Sequence, residues 1–95
     1  MADGIQPLVA HDAEAGRFSV VQDAHEAELV YRIRDGVLTV LHTGVPEAIG
    51  GRGIAAMLVR EALDYARGAR LRVDPACSYA AAYFRRHPEY ADLLG

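Results

Sequence analysis

The run Val45-Pro46-Glu47-Ala48-Ile49-Gly50-Gly51-Arg52-Gly53-Ile54-Ala55-Ala56-Met57-Leu58-Val59 joins an extended segment to a helix through glycine. The apolar segment 37–45 stops at Pro46. Gly50, Gly51 and Gly53 follow, and an amphipathic pattern starts at once. Strand, tight turn and helix is the order this implies. Glycine permits φ > 0 and leaves no Cβ between the backbone and a ligand. The first amides of a helix lack intrahelical partners, and its dipole favours negative charge, so such a turn suits an anion. A sharp strand-to-helix turn needs glycine on its own account too, and short glycine motifs recur without any ligand.

On the N-terminal side, residues 37–45 read as a strand apolar on nearly both faces, which suits a central position. Asp35-Gly36 is a two-residue hairpin signal. It joins this strand to residues 27–34, where Leu29, Tyr31 and Ile33 point one way while Glu28, Arg32 and Arg34 lie among those pointing the other. Residues 16–21 form an earlier strand with Phe18 and Val20 on one face. Residues 1–16 are polar and weakly patterned, and are expected to be a loose start.

On the C-terminal side, residues 53–67 carry the stripe Ala55, Leu58, Val59, Ala62, Leu63 and Ala66 of an amphipathic helix. Gly68 stands where a C-terminal cap is expected. Residues 71–74 alternate as a short strand ended by Pro75. Residues 78–86 make a second helix that His87-Pro88 closes, because the residue before proline disfavours helix. Tyr90, Leu93 and Leu94 supply a tail with enough apolar surface to pack. The order β-β-β-α-β-α describes an α+β (mixed α/β) domain: an antiparallel meander, then β-α-β-α, with helices packed on a mixed sheet. The strand–helix–strand crossover should be parallel and right-handed.

Ninety-five residues suit one domain, 1–95, with a single small core. Ten basic against thirteen acidic residues give a net charge of −3, so no basic field recruits nucleic acid. One cysteine excludes an internal disulfide, and no Cys/His cluster is spaced for a metal. Nothing approaches a membrane span or a signal peptide, which makes the cytoplasm the expected compartment.

The segment Gly50-Gly51-Arg52-Gly53-Ile54-Ala55 resembles the acetyl-coenzyme A signature of the GCN5-related N-acetyltransferases, Gln/Arg-x-x-Gly-x-Gly/Ala. Leu41-His42-Thr43, Pro75-Ala76-Cys77-Ser78-Tyr79 and His87-Pro88-Glu89-Tyr90 narrow the resemblance to the short, single-domain YjdJ-like branch, over residues 17–94. The resemblance implies that the pantetheine arm of acetyl-CoA (coenzyme A in the product) lies in an opening between strands. There it would meet the backbone of Thr43, Gly44 and Val45. It implies a pyrophosphate on the amides of Gly51, Arg52, Gly53, Ile54 and Ala55, with Arg52 available for a charge-assisted contact or simply solvated. Gly50 departs from the pattern, so the side-chain contact of the first signature position is absent.

Acetyl transfer to an amine needs a neutral amine, a polarised thioester carbonyl and a proton for the leaving thiolate. In the family a tyrosine of the last helix often serves as acid. Tyr83 is nearest that position, yet its spacing from Cys77 is one residue short, where Phe84 falls, and it equally suits packing. Tyr79 shares the ambiguity. Cys77 precedes the second helix, whose first amides would favour a thiolate, and the resemblance sets it where the acetyl group should lie. A small buried thiol in the sheet–helix seam is the alternative. His42, taken to share the face of Leu38 and Val40, suits a general base or a hydrogen-bonded structural role. His87 reads as structural, and Arg85-Arg86 suit either a 3′-phosphate or the helix dipole.

Three functions remain open: an acetyl-CoA-dependent N-acyltransferase, a non-catalytic acyl-CoA-binding module, and a phosphate-binding domain whose turn imitates the signature. The chain contains no lysine, so an acceptor amine (a protein or peptide lysine, or a small amine) must come from elsewhere. A monomer or weak homodimer is expected. With so short an N-terminal region, the acceptor groove is expected to be open or completed by a partner.

Overall fold

The structure, a computed structural model, describes residues 8–94. Five strands, β1 (Ala10–Asp12), β2 (Arg17–Gln22), β3 (His25–Arg34), β4 (Val37–Gly44) and β5 (Arg72–Pro75), form one sheet in the order β1-β2-β3-β4-β5. Helix α1 (Ile54–Gly68) links β4 to β5, and α2 (Ser78–Arg86) follows. Short 3-10 turns occupy Glu47–Ile49 and Pro88–Leu93. β1 to β4 pair antiparallel, and β5 joins β4 in parallel, as the crossover requires. The expected mixed α+β sheet is the observed one.

Asp35 and Gly36 both take positive φ, 52° and 77°, the backbone a two-residue hairpin turn needs. The β2–β3 turn does the same with Asp23 and Ala24 at 51° and 64°, without a glycine to announce it. β1 corrects the expectation of a loose start over part of its span: residues 10–12 are paired with β2, while residues 1–7 lie outside the described residues. His11 anchors this edge. Its ring stacks on Phe18 at 3.9 Å, meets the edge of Tyr65 at 4.5 Å and hydrogen-bonds the Tyr31 hydroxyl.

α1 buries Ile54, Leu58, Val59, Ala62, Leu63 and Ala66, and α2 buries Ala80, Tyr83 and Phe84. Both stripes join one cluster with Phe18, Val20, Leu29, Leu38, Val40 and Val73. The two helices therefore cover the same face of the sheet. Removing one of these side chains, as in Leu58→Ala, should cost about 2–5 kcal/mol. The opposite face carries Glu26, Arg32, Arg72 and Asp74 and is open to solvent.

Two local features depart from the sequence reading. Gly68 is the last residue of α1 and not its cap. The left-handed position is Arg70, φ 60°, and the amides of Arg70 and Leu71 donate to the carbonyls of Arg67 and Ala66 at 3.2 and 2.8 Å. This is a Schellman closure built on arginine. The second departure is a β-bulge in β4. Val30 pairs with His42 but Tyr31 pairs with Val40, which leaves Leu41 as the extra residue. Because partners across a ladder share a face, Val40 lies with Tyr31 on the helix side and Thr43 with Leu29 on that same side. His42 is thereby turned to the open face with Val30. It does not share the face of Leu38 and Val40, as strict alternation had implied.

Candidate active site

β4 and β5 stay paired only from Val37↔Arg72 to Val40↔Pro75. Proline has no amide hydrogen to extend a ladder, and the chain turns there with the Ala76 amide on the Asp74 carbonyl at 3.0 Å. The Cys77 amide then donates to the Val40 carbonyl at 3.1 Å, the last tie between the two strands. Beyond it, residues 41–44 of β4 keep β3 on one side and, among the described residues, have no strand on the other. The sheet opens at this point.

Cys77 stands at the apex of the opening, half-buried. Its Sγ accepts the Ala80 amide at 3.4 Å and so caps α2. The Thr43 hydroxyl, brought to the helix side by the bulge, lies 3.5 Å from the same sulfur. A thiol and a hydroxyl thus converge where β4 and β5 part.

The glycine turn forms the outer end of the same region. Gly51 and Gly53 take φ of 74° and 77°, and a Cβ built on either would meet nothing within 4 Å. Open space and left-handed backbone coincide at both positions. Gly53 caps α1 without any side-chain bond, and the first helical bond runs from the Met57 amide to the Gly53 carbonyl at 3.0 Å. Among the described residues, the amides of Gly51 through Ala56 donate to no protein acceptor. They are orphan donors at the positive end of the helix dipole. A cleft of about 250 Å³ beside them is lined by Val45, Gly50, Gly51, Gly53, Ile54, Ala55 and Tyr79. A second groove of about 270 Å³ lies between α1 and α2, where Arg52, Gly53, Ala56, Met57 and Arg60 face Tyr83 and His87.

Of the positions singled out from the sequence, Thr43 and Gly44 lie on the end of β4 beyond its pairing with β5, Thr43 beside Cys77. Val45 lines the cleft with Gly51, Gly53, Ile54 and Ala55 of the glycine turn. The catalytic candidates divide. Tyr83 is buried against the His87 ring, with centroids 3.9 Å apart, and burial pushes its hydroxyl pKa up. It lines the α1–α2 groove, whereas Tyr79 lines the cleft beside the glycines. His42 lies on the open face with a side chain 58% exposed. Its Nε2 is 3.9 Å from a Glu28 carboxylate oxygen. The bulge makes Glu28 the cross-strand partner of Gly44, and no sequence signal marks that pairing. The Arg52 guanidinium is engaged by the β2–β3 turn, 2.7 Å from Asp23 and 3.1 Å from Gln22, so it is not merely solvated. Arg85 and Arg86 end α2 in exposed positions that complement its dipole. Among the described residues no His, Cys, Asp and Glu side chains group to hold a metal, and no helix is long and apolar enough to cross a membrane.

Comparison with known proteins bears on this geometry. The sequence model described as GCN5-related N-acetyl-transferase matches residues 17–93. Protein NATD1 of Mus musculus is 35% identical over 91 residues, which cover 90% of this chain and 83% of the relative. Protein NATD1 of Homo sapiens is 34% identical over 99 residues, 99% of this chain and 88% of the relative. The solution structure of a GCN5-like protein from Staphylococcus aureus superposes with a TM-score of 0.74 at 26% identity, over 93% of this chain and 87% of that one. Family model, relatives and solved fold agree, and the chain belongs to the GCN5-related N-acetyltransferase family.

Proposed function

We propose that the protein is an acetyl-CoA-dependent N-acyltransferase of the short, single-domain YjdJ-like branch, acting on an amine such as a lysine side chain. One observation supports the reading: β4 and β5 part at Cys77, and the amides of residues 51–56, which follow β4 in the chain, have no partner among the described residues. The residues fit the cofactor on two counts. The space above Gly51 and Gly53 is clear, and the cleft beside them has apolar walls in Val45, Ile54 and Tyr79.

Acetyl-CoA would supply an activated acetyl group as a thioester. The amides of Gly51, Arg52, Gly53, Ile54 and Ala55 hold its pyrophosphate by hydrogen bonds and by the dipole of α1. The free edge of Thr43, Gly44 and Val45 takes the pantetheine arm in the place of a missing strand. Cys77 and Thr43 then lie at the reacting end. α1 and α2 occupy the helix side, so the acceptor amine comes from the open face. There the His42 imidazole can receive the proton that the amine gives up. A cytoplasmic monomer or weak homodimer, with neither metal nor nucleic acid, completes this reading.

A non-catalytic acyl-CoA-binding module is the second reading. The placement of Tyr83 in the α1–α2 groove, away from Cys77, favours it. Intact mass spectrometry after incubation with acetyl-CoA and an amine-rich peptide separates the two. Acetylated peptide with release of coenzyme A is the expected result. Tight coenzyme A binding with unmodified peptide would select the binding module.

A further inference from the structure

Arg52 lies between the two left-handed glycines of the turn, and its side chain leaves the turn altogether. It crosses to the tip of the β2–β3 hairpin, where Nη1 donates to Asp23 Oδ2 at 2.7 Å and to Gln22 Oε1 at 3.1 Å. Nη2 reaches the Ala48 carbonyl at 3.5 Å. The hairpin tip is a firm anchor. Gln22 pairs with His25 at the end of an unbroken ladder, and Asp23 and Ala24 close it with positive φ at both positions. The glycine turn has few hydrogen bonds of its own. Ile49 and Ile54 bury its two ends in the core, and among the described residues its hydrogen-bonded ties are the Gly50 amide on Glu47, the Met57 amide on Gly53, and this guanidinium. Glycine-rich backbone has much conformational freedom to lose on binding a ligand.

We propose that Asp23, with Gln22, is a positioning residue for the cofactor. It acts through Arg52 to hold the Gly51–Gly53 backbone in the shape that leaves its amides free for a phosphate. This rests on the coenzyme A reading above and adds what that reading lacks, a cause for the order of the turn before ligand arrives. The anchor also commits the guanidinium to a carboxylate, so the positive potential at the site comes from the amides and the dipole of α1 in place of Arg52. The pair is exposed on both sides, 43% and 64%, and as a plain surface ion pair it should be worth almost nothing to stability. Its effect belongs in ligand affinity.

The test is calorimetric titration of coenzyme A into the full-length wild type, Asp23→Ala, Asp23→Asn, Arg52→Ala and the double variant, with melting temperatures recorded alongside. Asp23→Ala should weaken coenzyme A binding roughly two- to tenfold, the scale of immobilising one flexible side chain. Its melting temperature should fall because alanine is strained at φ 51°, a cost that Asp23→Asn avoids. Asp23→Asn keeps an acceptor for Nη1 and should recover part of the loss. The double variant should bind no worse than Arg52→Ala, because Asp23 acts only through that side chain. The opposite sign overturns the proposal: if Asp23→Ala binds coenzyme A more tightly, Arg52 is a phosphate ligand that Asp23 holds in reserve. Unchanged affinity reduces the contact to a surface ion pair and also overturns it. A wild type that binds no coenzyme A at all would fail the functional reading itself, a result distinct from either.

Discussion

At the scale of single residues, Cys77 shows how a local role and a chemical role can be separated. Its sulfur caps α2 by accepting the Ala80 amide, and cysteine is not among the residues that helix N-termini prefer. Serine is, and it can make the same bond. Cys77→Ser should therefore melt at or slightly above the wild type, whereas Cys77→Ala, which has no acceptor, should lose about 1 kcal/mol. Both variants should keep coenzyme A affinity, because the cofactor's phosphates are assigned to the amides of residues 51–55. Acetyl transfer should nevertheless fall roughly tenfold or more in both if the thiol assists proton or acyl movement. A serine variant that is stable, binds coenzyme A and transfers acetyl at the wild-type rate would leave the thiol with capping and packing alone. Steady-state transfer rates, read beside thermal melts, decide it. Cys77 was visible in the sequence as a residue before a helix. Thr43 was singled out for its backbone, but not its hydroxyl as the partner of the sulfur, because the side of β4 that Thr43 takes depends on the bulge.

Among the elements, the 3-10 turn Pro88–Leu93 is fastened along α1 by ionisable groups. The Tyr90 hydroxyl donates to Asp64 at 2.9 Å, Arg67 pairs with Asp92 at 2.6 Å and donates to the Glu89 carbonyl, and the guanidinium lies 5.5 Å over the Tyr90 ring. Burial, then the bond to Asp64, pushes the Tyr90 pKa up to about 12. A raised folded-state pKa means that the stability from this contact is complete below about pH 10 and drains as the pH climbs towards about 12. Asp92 shifts the other way, its carboxyl held below the usual range by the hydrogen bond from Arg67. That contribution is present above the ordinary carboxylate value of about 3.9 and is lost as the pH falls through the lowered one. The turn should thus loosen at both extremes. Tyr90→Phe should remove the alkaline part and leave the acid part, as measured by melting temperatures across pH. The strands, both helices and the glycine turn were legible because apolar periodicity and Asp-Gly, Gly-x-Gly and His-Pro punctuation record them directly. β1 was not, since a three-residue edge strand with one inward side chain, His11, shows no period. The Leu41 bulge and the Arg70 closure were hidden for a related reason: each is imposed by neighbours across the ladder or beyond the helix, and not by the residue that adopts it.

For the whole molecule, the proposed function divides the two faces of the sheet between two tasks, the cofactor on the helix side and the acceptor on the other. Both helices lie on one side of the sheet, the cleft beside the glycine turn is walled by Val45, Ile54 and Tyr79, and the other face is open to solvent. A site of that form draws binding energy from two unlike ends. On the proposed function, the amides of residues 51–55 would recognise phosphate, and the edge of residues 43–45 would recognise an amide-bearing arm with strand-like hydrogen bonds. A domain that owned only the first end would not distinguish coenzyme A from adenosine 3′,5′-bisphosphate, which carries phosphates without the arm. Coenzyme A should therefore bind distinctly more tightly, by roughly tenfold or more if the arm adds even two net hydrogen bonds of about 1 kcal/mol each. Gly53→Val should weaken both ligands together, since it obstructs the end they share. It should also lower the melting temperature, because a β-branched residue at φ 77° is strained even with nothing within 4 Å to strike. Thr43→Pro would remove one backbone donor from the open edge and put a proline ring into β4. If its amide serves the arm, the variant should erase the preference for coenzyme A while the bisphosphate still binds, a survival that also certifies the fold. Equal wild-type affinities for the two ligands would mean that the strand opening plays no part in binding, and the chain would then be a phosphate-binding member of an acetyltransferase fold.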